Sequence, residues 1–338
     1  MRLTAGFLGA VLLTLLLSAS LAGAAPAAAP AALLPPPDNS LWIDSGKIKS
    51  QGPDLVVPAE LTATTMAARL WSVGPGQVVW TEEQRDAKGV LQAFGLNLAD
   101  VKAGTSQKLV SAPTALGDPA DWRLEAVSLA ADKHSLLARV RLTGTGYQSE
   151  VYSIALATPF AVTLLDSGTV WDGRSADGSR SVAATWMTTS DGGDSTEAKY
   201  RYGDLLQATT VQPAPALRWA FRLSTNLQPW ADRYITAAAV SPDGTQIAYV
   251  NPRGLWLVSA EGALQPSLRM GTPAGATAPT AVAELYQVLW SRDGTGLYVS
   301  FRRVSETGPS LYLLPLAKGA AQMIAPGAAS LCLVTITK

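Results

Sequence analysis

Residues 236–270 read TAAAVSPDGTQIAYVNPRGLWLVSAEGALQPSLRM, and the punctuation of this stretch decides the fold. Ala237-Ala238-Ala239-Val240 is a short apolar run that stops at Ser241-Pro242-Asp243-Gly244. An Asp side chain bonds backbone amides two residues on, and Gly supplies positive φ without a steric penalty. Asp-Gly between apolar runs is therefore a hairpin signal. Gln246 to Val250 is the second strand, Asn251-Pro252-Arg253-Gly254 the next turn, Leu255 to Val258 the third strand, and a fourth falls near Leu268.

The same order recurs along the chain. Leu289-Trp290-Ser291-Arg292-Asp293-Gly294 opens a copy whose later strands are Leu297–Phe301, Leu311–Leu314 and a run near Met323-Ile324. Ser175-Ala176-Asp177-Gly178, between Trp171 and Ala184, is another turn of this kind, with Arg174 in the place of an apolar residue. Ala126-Val127-Ser128 followed by Asp132-Lys133 reads as a copy with two extra turn residues, continued by Leu136–Val140 and Val151–Ile154. Leu70-Trp71-Ser72 with Gly76–Trp80 is a fifth. The equivalent serines, 72, 128, 175, 241 and 291, are 56, 47, 66 and 50 residues apart. A propeller blade of four antiparallel strands takes roughly 40–50 residues. The excess between 175 and 241 falls in Asp191–Asp194 and Tyr200–Gln212, read as a long hairpin or loop insertion. No stretch offers a long amphipathic helix.

A four-stranded sheet cannot bury both faces alone, so copies must stack around an axis. The expected fold is all-β: a propeller of four-stranded antiparallel blades occupying residues 41–338. Residues 41–61 hold two candidate strands, Leu41–Ile43 and Asp54–Val57, and residues 328–337, with the run Leu331–Ile336, hold another. Joining both chain ends in one mixed blade would pair otherwise open edges, which favours six blades over five or seven.

The wording Ser241-Pro242-Asp243-Gly244-Thr245-Gln246-Ile247-Ala248-Tyr249, echoed by Trp290-Ser291-Arg292-Asp293-Gly294, resembles the WD40-like PD40 repeats of TolB-like periplasmic propellers. The likeness covers about residues 236–325 specifically and 67–235 weakly. It implies a propeller fold and a role as an interaction partner in the cell envelope. TolB-like proteins usually carry an additional N-terminal α/β domain, for which residues 26–66 are too short. Similar repeats form the gating propellers of prolyl-oligopeptidase-like enzymes, but the chain ends at Lys338 without the hydrolase domain that reading needs.

Ahead of the repeats, residues 1–25 read as a secretory signal. They have a single positive charge at Arg2, an apolar stretch from Ala5 to Leu17, and a small-residue tail in which Ala22-Gly23-Ala24 fits a cleavage site. An uncleaved membrane anchor is the other reading; no Cys lies near for lipid attachment. Residues 26–40 carry Pro26, Pro30, Pro35, Pro36 and Pro37 among many Ala, and read as an extended linker. The expected location is extracytoplasmic: periplasm, envelope or secreted.

Composition narrows the chemistry. In 338 residues, 26 Lys+Arg balance 26 Asp+Glu. A polyanion binder usually carries a basic excess, so nucleic acid is not an expected partner. One Cys and one His exclude an internal disulfide framework, a multi-Cys metal site and any site built on two imidazoles. No phosphate-binding loop, zincin helix, dinucleotide fingerprint or G-x-S-x-G occurs. His134 reads as a polar turn residue, not a triad base. Asp191, Asp194 and Glu197 lack the alternating ladder of a calcium loop and read as solvated acids. Asp166, Asp172, Asp177 and Asp204 could in principle supply a glycosidase pair, but Asp177, like Asp243 and Asp293, is better explained as a turn residue.

Trp71, Trp80, Trp171, Trp186, Trp256 and Trp290 sit on or beside expected strands and read as core. Trp122, Trp219 and Trp230 are less regular and are better surface candidates, near Arg218, Arg222 and Arg233. Cys332 reads as a small core residue. The expectation is a protein-interaction scaffold with no catalytic residue, metal or cofactor, its partner another envelope or secreted protein. A funnel-lining glycan or peptide site is the alternative, and an envelope hydrolase the less favoured one.

Overall fold

In the computed structural model the chain is described over residues 33–88, 90–112, 122–142, 148–165, 170–174, 180–189, 201–210, 216–222, 235–251, 253–260, 267–271, 281–317 and 319–336. The expected signal (1–25), the start of the expected linker and the acids Asp191, Asp194 and Glu197 lie outside these residues.

Two strands come first, β1 (Ser40–Asp44) and β2 (Lys47–Gln51), followed by a single helical turn, α1 (Ala59–Ala63). Five four-stranded antiparallel sheets follow. The first is β3 (Ala67–Gly74), β4 (Gln77–Arg85), β5 (Leu91–Asp100) and β6 (Thr105–Ala112). The second is β7 (Trp122–Leu129), β8 (Ser135–Leu142), β9 (Gln148–Ala155) and β10 (Val162–Leu165). The third is β11 (Gly173–Arg174), β12 (Arg180–Thr189), β13 (Arg201–Thr210) and β14 (Ala216–Arg222). The fourth is β15 (Ala237–Val240), β16 (Gln246–Asn251), β17 (Gly254–Ser259) and β18 (Ser267–Gly271). The fifth is β19 (Val282–Trp290), β20 (Gly296–Arg303), β21 (Ser310–Pro315) and β22 (Gln322–Ala325). The last strand, β23 (Ala328–Leu333), pairs antiparallel with β1, so the order β2-β1-β23 makes a sixth sheet from both chain ends.

Every seam between sheets is closed. Val73 and Val79 of the first blade share a buried cluster with Leu124, Val127 and Leu136 of the second. Trp171 N donates to Ser128 Oγ at 3.2 Å across the second seam. Val182 packs with Ala238, Val240 and Ile247 across the third. The Trp290 indole donates to Ala239 O at 3.1 Å across the fourth. Against the closing sheet, the Gln287 amide donates to Leu331 O at 2.9 Å and accepts from Leu331 N at 2.8 Å. On the other side Leu70 N donates to Ser330 Oγ at 3.1 Å. The ring is thus five full blades plus one mixed sheet of three strands. The innermost strands of the third and fourth blades approach closely. Gly173 has Ala239 Cα only 3.0 Å from where a Cβ would stand, and β15 itself is Ala-rich.

Several sequence expectations shift. The strand expected at Asp54–Val57 does not form. Pro53 and Pro58 bracket it, Val56 N bonds Val101 O at 2.7 Å, and Leu55 and Val57 pack into the core from an irregular segment. Its place in the ladder is taken by Lys47–Gln51, whose single buried apolar residue, Ile48, gave little signal. The C-terminal strand, expected within residues 328–337, is Ala328–Leu333, and Val334 N extends its register with β1 by one more bond, to Asn39 O at 2.8 Å. Residues 201–210 follow the long-hairpin reading and not the loop-insertion one. They form β13, paired along its length with β12.

Ser128 is not the turn serine of its blade. Ala130 is, by its bonds. Ser241 N–Gln246 O, Gly244 N–Ser241 O and Thr245 N–Asp243 Oδ1 are matched by Ala130 N–Ser135 O, Lys133 N–Ala130 O and His134 N–Asp132 Oδ1. The two extra residues belong to the strand, where Glu125 bulges out of register between Leu124 and Ala126. Ser72 likewise lies within β3, paired with Val78.

Candidate functional site

The six innermost strands or their ends wall a central cavity of about 1550 Å³. Its lining includes the apolar Leu70, Val127, Ala238, Val240 and Val288 and the half-buried indoles of Trp71 and Trp171. Arg69, Glu125, Asp172, Tyr286 and Arg292 are among its polar members.

One charged cluster is built into the wall. The bulge in β7 carries Glu125, Asp172 stands just ahead of β11, and Arg139 reaches them from β8. The Arg139 guanidinium donates to both oxygens of Asp172, at 3.0 and 2.8 Å, and lies 3.4 Å from Glu125 Oε2. All three side chains are at most 6% exposed. Burial alone would lower the Arg139 pKa, but Asp172 first and Glu125 second more than offset it and hold it above its ordinary value. The cluster ties the second blade to the third. A glycoside hydrolase needs one carboxyl to give a proton and a second to act on the opposite side of the sugar. Here both carboxylates face a single guanidinium, and Asp172 has each oxygen engaged.

Of the acids considered from sequence, Asp172 alone among the described residues reaches the cavity wall. Asp204 is on β13 opposite Trp186, and Asp166 and Asp177 lie outside the described residues. Asp243 and Asp293 close turns, where the hydroxyls of Ser241 and Ser291, followed by the backbone amides of Thr245 and Thr295, hold their pKa values below the ordinary one. His134 is an exposed turn residue, its N–H donating to Asp132 Oδ1 at 2.8 Å. Among the described residues no group of three or more His, Cys, Asp or Glu converges.

The tryptophans divide. Trp80 and Trp290 are buried at 2% and 6% exposure, and the Trp256 indole donates to Asn251 Oδ1 at 3.0 Å. Trp71 and Trp171, expected in the core, instead look partly into the cavity. Trp122 and Trp219, read as surface candidates, belong to β7 and β14, and Arg218 and Arg222 are on β14 too; the side chains of these four, with Trp230 and Arg233, lie outside what the structure describes. Cys332 is buried in β23, and burial pushes its thiol up to about 12. Sequence reasoning passed over Glu125 and Arg139. Their signal was a pair of charges set into each of two otherwise apolar strands, Arg123 and Glu125 in RLEAVSL and Arg139 and Arg141 in SLLARVRL.

Similar solved structures include the nidogen/laminin complex, at 11% identity and a TM-score of 0.49 over 88% of this chain and 99% of that one. A protein described as a TolB of Agrobacterium tumefaciens aligns at 12% identity and 0.42 over 86% and 89%. The periplasmic gluconolactonase PpgL of Pseudomonas aeruginosa aligns at 14% and 0.43 over 86% and 82%. At these identities no residue's role carries over. No protein-family model and no curated protein sequence matches the chain.

Proposed function

We propose that the protein is a non-enzymatic, extracytoplasmic propeller of TolB-like type that receives a segment of an envelope or secreted protein in its central cavity. The observation that carries this reading is the cavity wall. It is broad, it mixes apolar and polar surface in nearly equal parts, it offers two indoles, and its buried carboxylates are already joined to Arg139. Small-molecule pockets run to about 300–1,000 Å³. A cavity of about 1550 Å³ suits a larger guest, such as a loop or chain end. The extracytoplasmic location rests on the signal pattern of residues 1–25, and the TolB-like type on the repeat wording around Ser241 and Ser291.

A site-specific test places a photocrosslinking amino acid at Trp171 on the cavity wall and, as control, at Thr163 on the outer strand β10, in cells making the full chain. One discrete protein adduct at 171 and none at 163 is expected. Absence of a protein adduct at 171, with turnover of an oligosaccharide or lactone by the purified protein, would reverse the assignment. Glycan or peptide binding is the second reading, favoured by the half-buried indoles of Trp71 and Trp171 on the cavity wall.

A further inference from the structure

The closing sheet is one strand short. Among the described residues the other five sheets have four strands, whereas β2-β1-β23 ends at β2. The β1–β2 turn has positive φ at both central residues, Ser45 at 51° and Gly46 at 77°. That is the two-residue hairpin geometry in which the flanking pair, Asp44 and Lys47, exchanges both backbone bonds. Alternation along an antiparallel pair then turns the N–H and C=O of Lys47, Lys49 and Gln51 inward to β1, and those of Ile48 and Ser50 outward. No described residue bonds those outward groups.

Side chains give this edge a code. Lys47 and Lys49 are exposed on one face, while Ile48, 3% exposed, points to the other, into the cluster it shares with Leu61 of α1. Beside the turn, Met66 is 47% exposed, and Ala67 N bonds Gly46 O at 2.9 Å. A strand laid antiparallel on β2 would set alternate residues opposite the two lysines and the intervening one beside Ile48. Acidic residues complete the first face and an apolar residue the second. A second copy of this chain is a poor guest, because pairing two β2 edges sets lysine against lysine.

We infer that the outer edge of β2 is a strand-addition site for an extended segment of a partner protein that alternates acidic and apolar residues. The site is separate from the cavity, so either can fail without the other.

The probe is a short fluorescent peptide alternating Glu and Val, with a Lys/Val counterpart, followed by anisotropy against the full chain. The Glu/Val peptide binds and the Lys/Val peptide does not, and binding weakens as salt is raised. Ser50→Pro removes one outward N–H without touching the β1 ladder, a position where an edge strand tolerates proline. It abolishes binding while the melting temperature holds. Should that variant unfold, Lys47→Glu with Lys49→Glu, both on exposed side chains, swaps the preference to the Lys/Val peptide. No binding of the Glu/Val peptide, equal binding of both peptides, binding that survives Ser50→Pro in a folded protein, or no swap in the double variant overturns the proposal. So does a concentration-dependent dimer that Ser50→Pro dissolves, which would give the edge to a second copy.

Discussion

Lys133 stands where the two best-formed turns have glycine. Its φ is 59°, against 72° at both Gly244 and Gly294. A side chain in this left-handed region costs about 1–2 kcal/mol, and glycine returns part of that as unfolded-chain entropy, about 0.4–1 kcal/mol. Lys133→Gly should therefore stabilise the protein by on the order of 0.5–1 kcal/mol, read as a higher urea midpoint at unchanged slope. The turn aspartates give a pH effect. Asp243 and Asp293 have folded pKa values below the ordinary one. Their contribution is present above the ordinary carboxylate value and lost as pH falls through the lower folded value, so the window lies below roughly pH 4. Melting temperature followed downward from neutral pH should drop less in an Asp243→Asn, Asp293→Asn double variant than in the wild type.

Between elements, the Arg139 cluster is a specific charged tie joining the second and third blades. Arg139→Met leaves Glu125 and Asp172 buried without their cation, and breaking such a group costs about 3–5 kcal/mol. Adding Glu125→Leu and Asp172→Leu should recover much of that loss, since the desolvation penalty of the carboxylates goes with them. Chemical denaturation of the single and triple variants checks both; a single variant as stable as wild type would show the charges to be solvated. At other seams apolar packing is joined by backbone groups met by one side chain, as in the paired bonds between Gln287 and Leu331. A side-chain amide is acting there as a rung between two strands that are too far apart to bond directly.

The whole molecule is a ring held shut by its ends. Arg292, in the turn of the last full blade, donates to the carbonyls of Asp38, Asn39 and Val334, gripping the segments on either side of the closing sheet. Leu34 N bonds Met323 O at 3.0 Å, so the chain is already docked ahead of β1. Cys332 reports on this closure from within β23. Buried, with its thiol held up to about 12, it should resist a thiol reagent at pH 8 until the closing sheet opens. Arg292→Ala should speed its modification without shifting the urea slope. Rapid labelling of the native wild type would contradict the burial of this strand.

Much of this was readable from residues alone. The Ser-x-Asp-Gly turns between apolar runs fixed strand, turn and repeat by local chemistry, and β15 to β17 and β20 to β22 lie within a residue or two of where the pattern puts them. The mixed sheet was also inferable, because both chain ends carry an apolar run that needs a partner. What escaped had no local cause. Lys47–Gln51 is a strand because β1 offers it a ladder, while the more apolar Asp54–Val57 is bracketed by prolines and packs without one. Glu125, Arg139 and Asp172, far apart in sequence, meet because a bulge turns one strand and stacking brings the next blade alongside. Local sequence sets φ, ψ and the apolar period; which charges share a desolvated wall is decided only when separate sheets close on one axis.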